Sequence, residues 1–147
     1  MCHGHQVQLD DAACWERLRA ARHGVLGTVH ATRGVDAVPV VFVVDDGPHG
    51  TQLVIPIDTV KPKAGGRLQR LRNLDGDARA VLLVEHYDED WSQLWWVRVH
   101  GQAHEADPTP SQLERLAAAF PAYAISGSVP SSILLVPDEI TGWAAAP

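Results

Sequence analysis

The segment KPKAGGRLQRLRNL gathers Lys61, Lys63, Arg67, Arg70 and Arg72 with no acid between them, in a chain whose formal net charge is −6. Cations collected against the overall sign of a protein suit an anionic ligand. The pair Gly65-Gly66 opens a helical run, and the free N–H groups at a helix start favour phosphate. A solvated basic helix face is the other reading of the same pattern. A second concentration lies in HYDEDWSQLWWVRVHG, where Asp88, Glu89 and Asp90 stand beside Trp91, Trp95 and Trp96. His86 and Tyr87 border it and are the candidates for proton delivery, against a solvated role near a hairpin tip.

The eight histidines raise the question of a metal. His3 and His5, with Cys2, fall in an expected flexible tail. His100 and His104 are four residues apart on a predicted strand, about 13 Å, whereas zinc ligands each sit ~2.0–2.3 Å from one centre. No metal site is expected. Nucleophile elbow, CxxC pair, Walker loop and GxGxxG motif are all absent from the sequence.

A chain of 147 residues with 46% hydrophobic content fits one domain spanning residues 1–147, with residues 1–9 expected as the tail. The negative charge argues against a general nucleic-acid binder. No stretch approaches the ~18 apolar residues of a membrane span, and two cysteines make no disulfide framework. The expectation is a cytoplasmic protein with neither nucleic acid nor membrane as partner.

The elements that must position these residues follow from periodicity. Asp10 or Asp11 caps a helix whose apolar positions Cys14, Trp15, Leu18 and Ala21 end before His23-Gly24. Three β-rich runs follow, VLGTVHAT (25–32), VDAVPVVFVV (35–44) and TQLVIPID (51–58), separated by turn chemistry. Pro39 places the second at an edge or bulge. Leu68, Leu71 and Leu74 face inward from the basic helix. ARAVLLVEHY (78–87) reads as a strand buried on both faces at its centre, paired with SQLWWVRVHGQAHE (92–105) through the tip DEDW. Alternation puts Trp96, Arg98, His100, Gln102 and His104 on one face, with Trp95, Val97, Val99 and Ala103 on the other. The mixed face is either solvent surface or an interface. TPSQLERLAAAF carries a capping box, Thr109 with Gln112, and Pro110 in its first turn. The loop 121–132 names no ligand, and SILLVPDEITGW supplies a last strand bent at Pro137 and Asp138.

Together the first helix, the meander, RLRNL, VRVHG, the capped helix and the strand ending at Trp143 resemble the split β-barrel family of pyridoxamine 5'-phosphate oxidase-like flavoproteins. KPKxxxRLxRLRNL followed by LLVEHYDEDWxxLWWVRVxG is similar to an actinobacterial branch identified as F420-dependent. The resemblance runs from about Trp15 to Trp143. It implies a mainly β (α+β) fold, a six-stranded antiparallel split β-barrel with a few peripheral helices, assembled as a homodimer with the cofactor between subunits.

The implied activity is that of an oxidoreductase that binds deazaflavin F420 and moves hydride between its ring C5 and a small organic substrate. An FMN-dependent oxidase or reductase of the same fold is the alternative, and a non-enzymatic flavin or haem carrier a third. By the same resemblance Arg70 matches the basic residue, four positions before the closing leucine, that grips the cofactor phosphate. Thr59 matches a hydroxyl position on that phosphate. Lys61, Pro62 and Lys63 form the branch's KPK element, with Arg67 in the same basic strip. Arg98 matches the arginine of VRVxG, and Trp96 beside it faces the partner chain, where aromatics wall the ring. The residues VKPKA after the third strand are added relative to the broad family.

Overall fold

The computed structural model describes residues 7–59 and 67–146. Strand β1 (Val7–Gln8) pairs with the last strand, Val7 opposite Ala144 and Gln8 opposite Trp143, and the Leu9 N–H reaches the Gly142 carbonyl at 2.9 Å. Val7 and Gln8, expected in the tail, are part of the sheet, and Leu9 is hydrogen-bonded to it. Helix α1 (Asp11–Ala20) starts where the Asp10 carboxylate accepts the Ala13 N–H at 2.8 Å, and it buries Cys14 and Leu18.

The remaining strands are β2 (His23–His30), β3 (Gly34–Val41), β4 (Val43–Gly47), β5 (Gly50–Ile57), β6 (Arg79–His86), β7 (Trp95–Ala106) and β8 (Ser131–Ala144). Among the described residues the eight strands form one sheet ordered β3-β2-β6-β7-β8-β5-β4, with β1 on β8, and every pairing is antiparallel. The run 35–44, expected as one strand, breaks at Phe42, whose N–H turns aside to the Arg22 carbonyl at 3.1 Å. Its halves β3 and β4 lie at opposite ends of the sheet path yet are one residue apart in sequence. The sheet must therefore curl until its edges meet at Phe42. With β3 and β4 taken as one bent strand, and short β1 set aside, this is the six-stranded split barrel. Pro39 sits on edge strand β3 opposite Val25, where a missing ladder donor is tolerated.

Alternation on β7 turns Val97, Val99 and Ala103 into a core shared with Leu82, Val84, Leu53, Ile55 and Leu135. One irregularity bends the long strands. His100 faces Glu139 while Gly101 faces Pro137, so Asp138 has no opposite number. A Cβ on Gly101 would lie 2.1 Å from the Val136 carbonyl oxygen, so only glycine permits the approach. Strand β6 departs from expectation: Ala80, Leu82 and Val84 are buried, but Leu83 on its other face is 37% exposed. Burial on both faces does not occur within a single chain.

Helix α2 (Gln69–Gly76) buries Leu71 and Leu74 and packs Leu68 against the core, as the leucine spacing requires. It starts at Gln69. The Gly65-Gly66 pair, expected to open it, lies outside the described residues, as do Lys61, Pro62 and Lys63 and the Cys2, His3 and His5 cluster. Buried Asn73 fastens α2 to the sheet. Its amide donates to Thr28 Oγ1 and Asp36 Oδ2, each at 2.9 Å, and accepts from Gln69 at 2.8 Å. Helix α3 (Pro110–Ala119) has the reciprocal Thr109–Gln112 capping box, and Gln112 also donates to buried Asp45 at 3.1 Å. No helix among the described residues is long and apolar enough to cross a membrane.

Candidate functional site

Where β5 ends, polar groups converge. Asp58 is 5% exposed and accepts a hydrogen bond from the Tyr123 hydroxyl. Thr59 follows, its N–H bonded to the Ser128 carbonyl at 3.0 Å and its hydroxyl 3.5 Å from the same oxygen. Arg70, in the first turn of α2, feels the charge of Asp58. Burial pushes its pKa down and the Asp58 charge pushes it back up, though an arginine remains a cation throughout. Its Nε is buried with no acceptor. An unpaired buried donor on a charged group costs about 1–3 kcal/mol or more, so the position suits an incoming anion. The Ser128 hydroxyl is also buried and unpartnered.

Arg67 is not free to join it. Its guanidinium holds Asp75 through two bonds of 3.0 Å and Glu105 through one of 3.2 Å, and these hydrogen bonds raise its pKa. The acids come from the end of α2 and from β7, which is why the run 61–72 looked unopposed in sequence. Glu105 also accepts from Ser131 at 2.8 Å, tying β7 to the start of β8.

On the outer face of β7, Arg98 lies over Trp96 with its guanidinium carbon 5.0 Å from the ring centroid. In register, Trp96 stands between Glu85 and Trp143, and Arg98 between Leu83 and Thr141. The Thr141 hydroxyl is buried there without a partner. Apolar side chains continue across this face. Val25 faces Leu83 across strands, both more than a third exposed, and Val35 is 69% exposed.

His86 stacks on Trp95, ring centroids 6.0 Å apart and planes 19° from parallel, with Arg17 over the same indole at 5.7 Å. Its Nε2 is 3.8 Å from Asp88, and Tyr87 is exposed at the hairpin tip. These candidates for proton delivery sit at one end of β7. Glu105, and with it the Arg67, Asp58 and Arg70 region, is at the other end of a 12-residue strand, roughly 35 Å long at ~3.3 Å per residue. One chain does not bring the two groups together. Among the described residues no group of three His, Cys, Asp or Glu is placed to hold a metal ion.

Sequence reading missed Asp58, Tyr123 and Ser128. Asp58 is the last letter of a strand-like run, and the loop 121–132 carries no motif; nothing local shows that it folds back onto residues 58 and 59.

Comparison with solved structures finds the same fold at low identity. An FAD-binding protein of Mesorhizobium loti is 16% identical over 95% of this chain and 96% of its own, with a TM-score of 0.66. An FAD-binding protein of Mycobacterium smegmatis is 16% identical over 94% and 96%, at 0.57. A conserved hypothetical protein of Mycobacterium tuberculosis is 17% identical over 93% and 86%, at 0.68. No curated protein matches the chain. The family model described as pyridoxamine 5'-phosphate oxidase matches residues 10–142. The split barrel and this match over nearly the whole chain place the protein in the pyridoxamine 5'-phosphate oxidase family.

Proposed function

We propose that the protein is a homodimeric oxidoreductase that binds the deazaflavin F420, with FMN as the alternative cofactor, and acts on a small organic substrate. The observation that carries this reading is Arg70: a half-buried guanidinium whose buried Nε has no acceptor, in a family named for a phosphate-bearing substrate. Arg70 would bind the cofactor phosphate, with Thr59 beside it. Trp96 and Arg98 would orient and wall the ring. Bound in this way, the cofactor supplies the hydride chemistry, and the protein's own share is grip, orientation and exclusion of water.

The F420 reading rests on the extra cations Lys61 and Lys63 beside Pro62. F420 continues past its phosphodiester into lactyl and glutamyl carboxylates, a longer anionic path than the single phosphate of FMN. A flavin in place of F420, with FMN as the flavin proposed, is supported by the two structural neighbours described as FAD-binding proteins. Pairing of two chains through the outer face of β2, β6 and β7 would cover Val25 and Leu83, and a contiguous apolar face calls for such a cover.

Titration of the purified protein with F420 and FMN, followed by ring absorbance, tests the reading. Saturable binding of F420, tighter than that of FMN and weakened by salt, is the expected result. FMN bound at least as tightly as F420 in low salt would reverse the choice of cofactor.

A further inference from the structure

Arg19, Arg33, Arg67 and Arg79 each hold an acid at 3.0 Å or closer. Arg22 and Arg115 do not. Among the described residues Arg22 Nη1 meets only the Ala20 and Ala21 carbonyls, at 3.4 and 3.3 Å. Arg115 Nη1 is 3.5 Å from the Val44 carbonyl oxygen, and its Nε is 3.4 Å from Asp45. A guanidinium engaged by a carboxylate makes bonds of ~2.7–2.9 Å, so both cations have donors to spare.

The two share one cleft of about 350 Å³, where the end of α1 meets β4 and the last turns of α3. Arg19, Arg22 and Arg115 line it together, and no acid does. Ala21 and Val44 are also in its wall, so the contacts just given place both idle guanidinium groups against the cleft. Val43, Ala118 and Ala119 make the wall apolar elsewhere. Charge then selects the ligand. Asp46 holds Arg19 closely and Asp45 lies near Arg115, while the C-terminal ends of α1 and α3 each add roughly half a negative charge. The cleft therefore carries little net charge, and a bare anion gains little by entering it. A ligand that brings both a carboxylate for the spare N–H donors and hydrocarbon for the apolar wall gains from both, the second at ~25 cal/mol per Å². The volume is at the small end of the ~300–1,000 Å³ range of ligand pockets.

We propose that this cleft binds a small aliphatic carboxylate, its carboxylate bridging Arg22 and Arg115 and its chain lying on Val43, Ala118 and Ala119. Such a ligand ties the segment after α1 to α3 at the place where β3 gives way to β4, because the Arg22 carbonyl already accepts the Phe42 N–H at 3.1 Å. Binding should stabilise the fold accordingly. None of these residues belongs to the group proposed to hold the cofactor, so the two proposals stand or fall separately.

Thermal melts and calorimetric titration with hexanoate test the proposal, with acetate and 1-hexanol as controls at matched ionic strength. Hexanoate should bind saturably and raise the melting temperature. Acetate lacks the chain and hexanol lacks the charge, and neither should reproduce the effect. Arg22→Gln keeps the main-chain carbonyl that Phe42 uses and should weaken hexanoate binding by about tenfold or more, as for a lost hydrogen bond to a charged group. Ala118→Leu, at an exposed helix position, should weaken it as much by filling the cleft. Parent-like hexanoate affinity in either variant would overturn the proposal. So would a parent protein that shows no saturable hexanoate binding below about 10 mM, or one that binds acetate or hexanol as well as hexanoate.

Discussion

Tyr123 donates its hydroxyl hydrogen to Asp58 across 65 residues of sequence, joining the loop after α3 to the end of β5. Burial, and then the Asp58 hydrogen bond, raise the Tyr123 pKa above its ordinary value of 10.0. Above pH 10 the unfolded chain releases this proton while the folded chain keeps it, so the unfolded state gains. The contribution is complete below pH 10 and declines as pH rises toward the raised value. Tyr123→Phe should lower stability by about 1–3 kcal/mol at neutral pH. Denaturant melts at pH 7 and above pH 10 check it: the gap between parent and variant should narrow in alkali.

Arg67 is bonded to Asp75 and Glu105 at the surface, and exposed ion pairs of this type contribute little to stability. Arg67→Ala should leave thermal stability nearly unchanged and FMN and F420 affinity within about twofold. Calorimetric titration of the variant measures both.

Gly101 leaves no room for a side chain, because a Cβ would meet the Val136 carbonyl oxygen and carbon at 2.1 and 2.9 Å. Gly101→Ala must move backbone at the bulge and should cost more than about 3 kcal/mol. Gly34→Ala is the comparison: open space surrounds that position, and only its φ of +95° opposes the change. Urea midpoints for the two variants should separate clearly, with Gly101→Ala the lower.

Leu83 and Val25 face each other on the uncovered side of the sheet. If a second copy covers them, Leu83→Glu should convert a dimer to a monomer while leaving the chain folded. Light scattering of parent and variant reads the masses directly; a monomeric parent would remove the proposed dimer.

The sequence was informative where one element explains its own pattern. The capping box of Thr109 and Gln112, the inward leucines of α2 and the alternation of β7 all follow from local spacing, and local spacing survives folding. The misreadings involve partners distant in sequence. Phe42 looks like the middle of a strand until the Arg22 carbonyl draws its N–H aside. Arg67 looks unopposed until Glu105 arrives from a strand 38 residues later. Ser128 and Tyr123 carry no motif because their role comes from lying against Asp58 and Thr59, a contact that only tertiary closure creates. Leu83 looks core-like from the apolar run around it, yet its face of β6 is uncovered in this chain.

Arg70 is proposed to hold an anion belonging to a flavin-like cofactor, and the affinity of Arg70→Ala relative to the parent for F420 and FMN at one salt concentration tests this most directly. Loss of a charge-assisted hydrogen bond should weaken binding by about 1.5–3 kcal/mol, roughly 10- to 150-fold. Stability of the ligand-free protein should hold or rise, since a buried unpaired donor is removed. Equal affinities of parent and variant for both cofactors would contradict the claim and leave the buried Arg70 Nε without a part in cofactor binding.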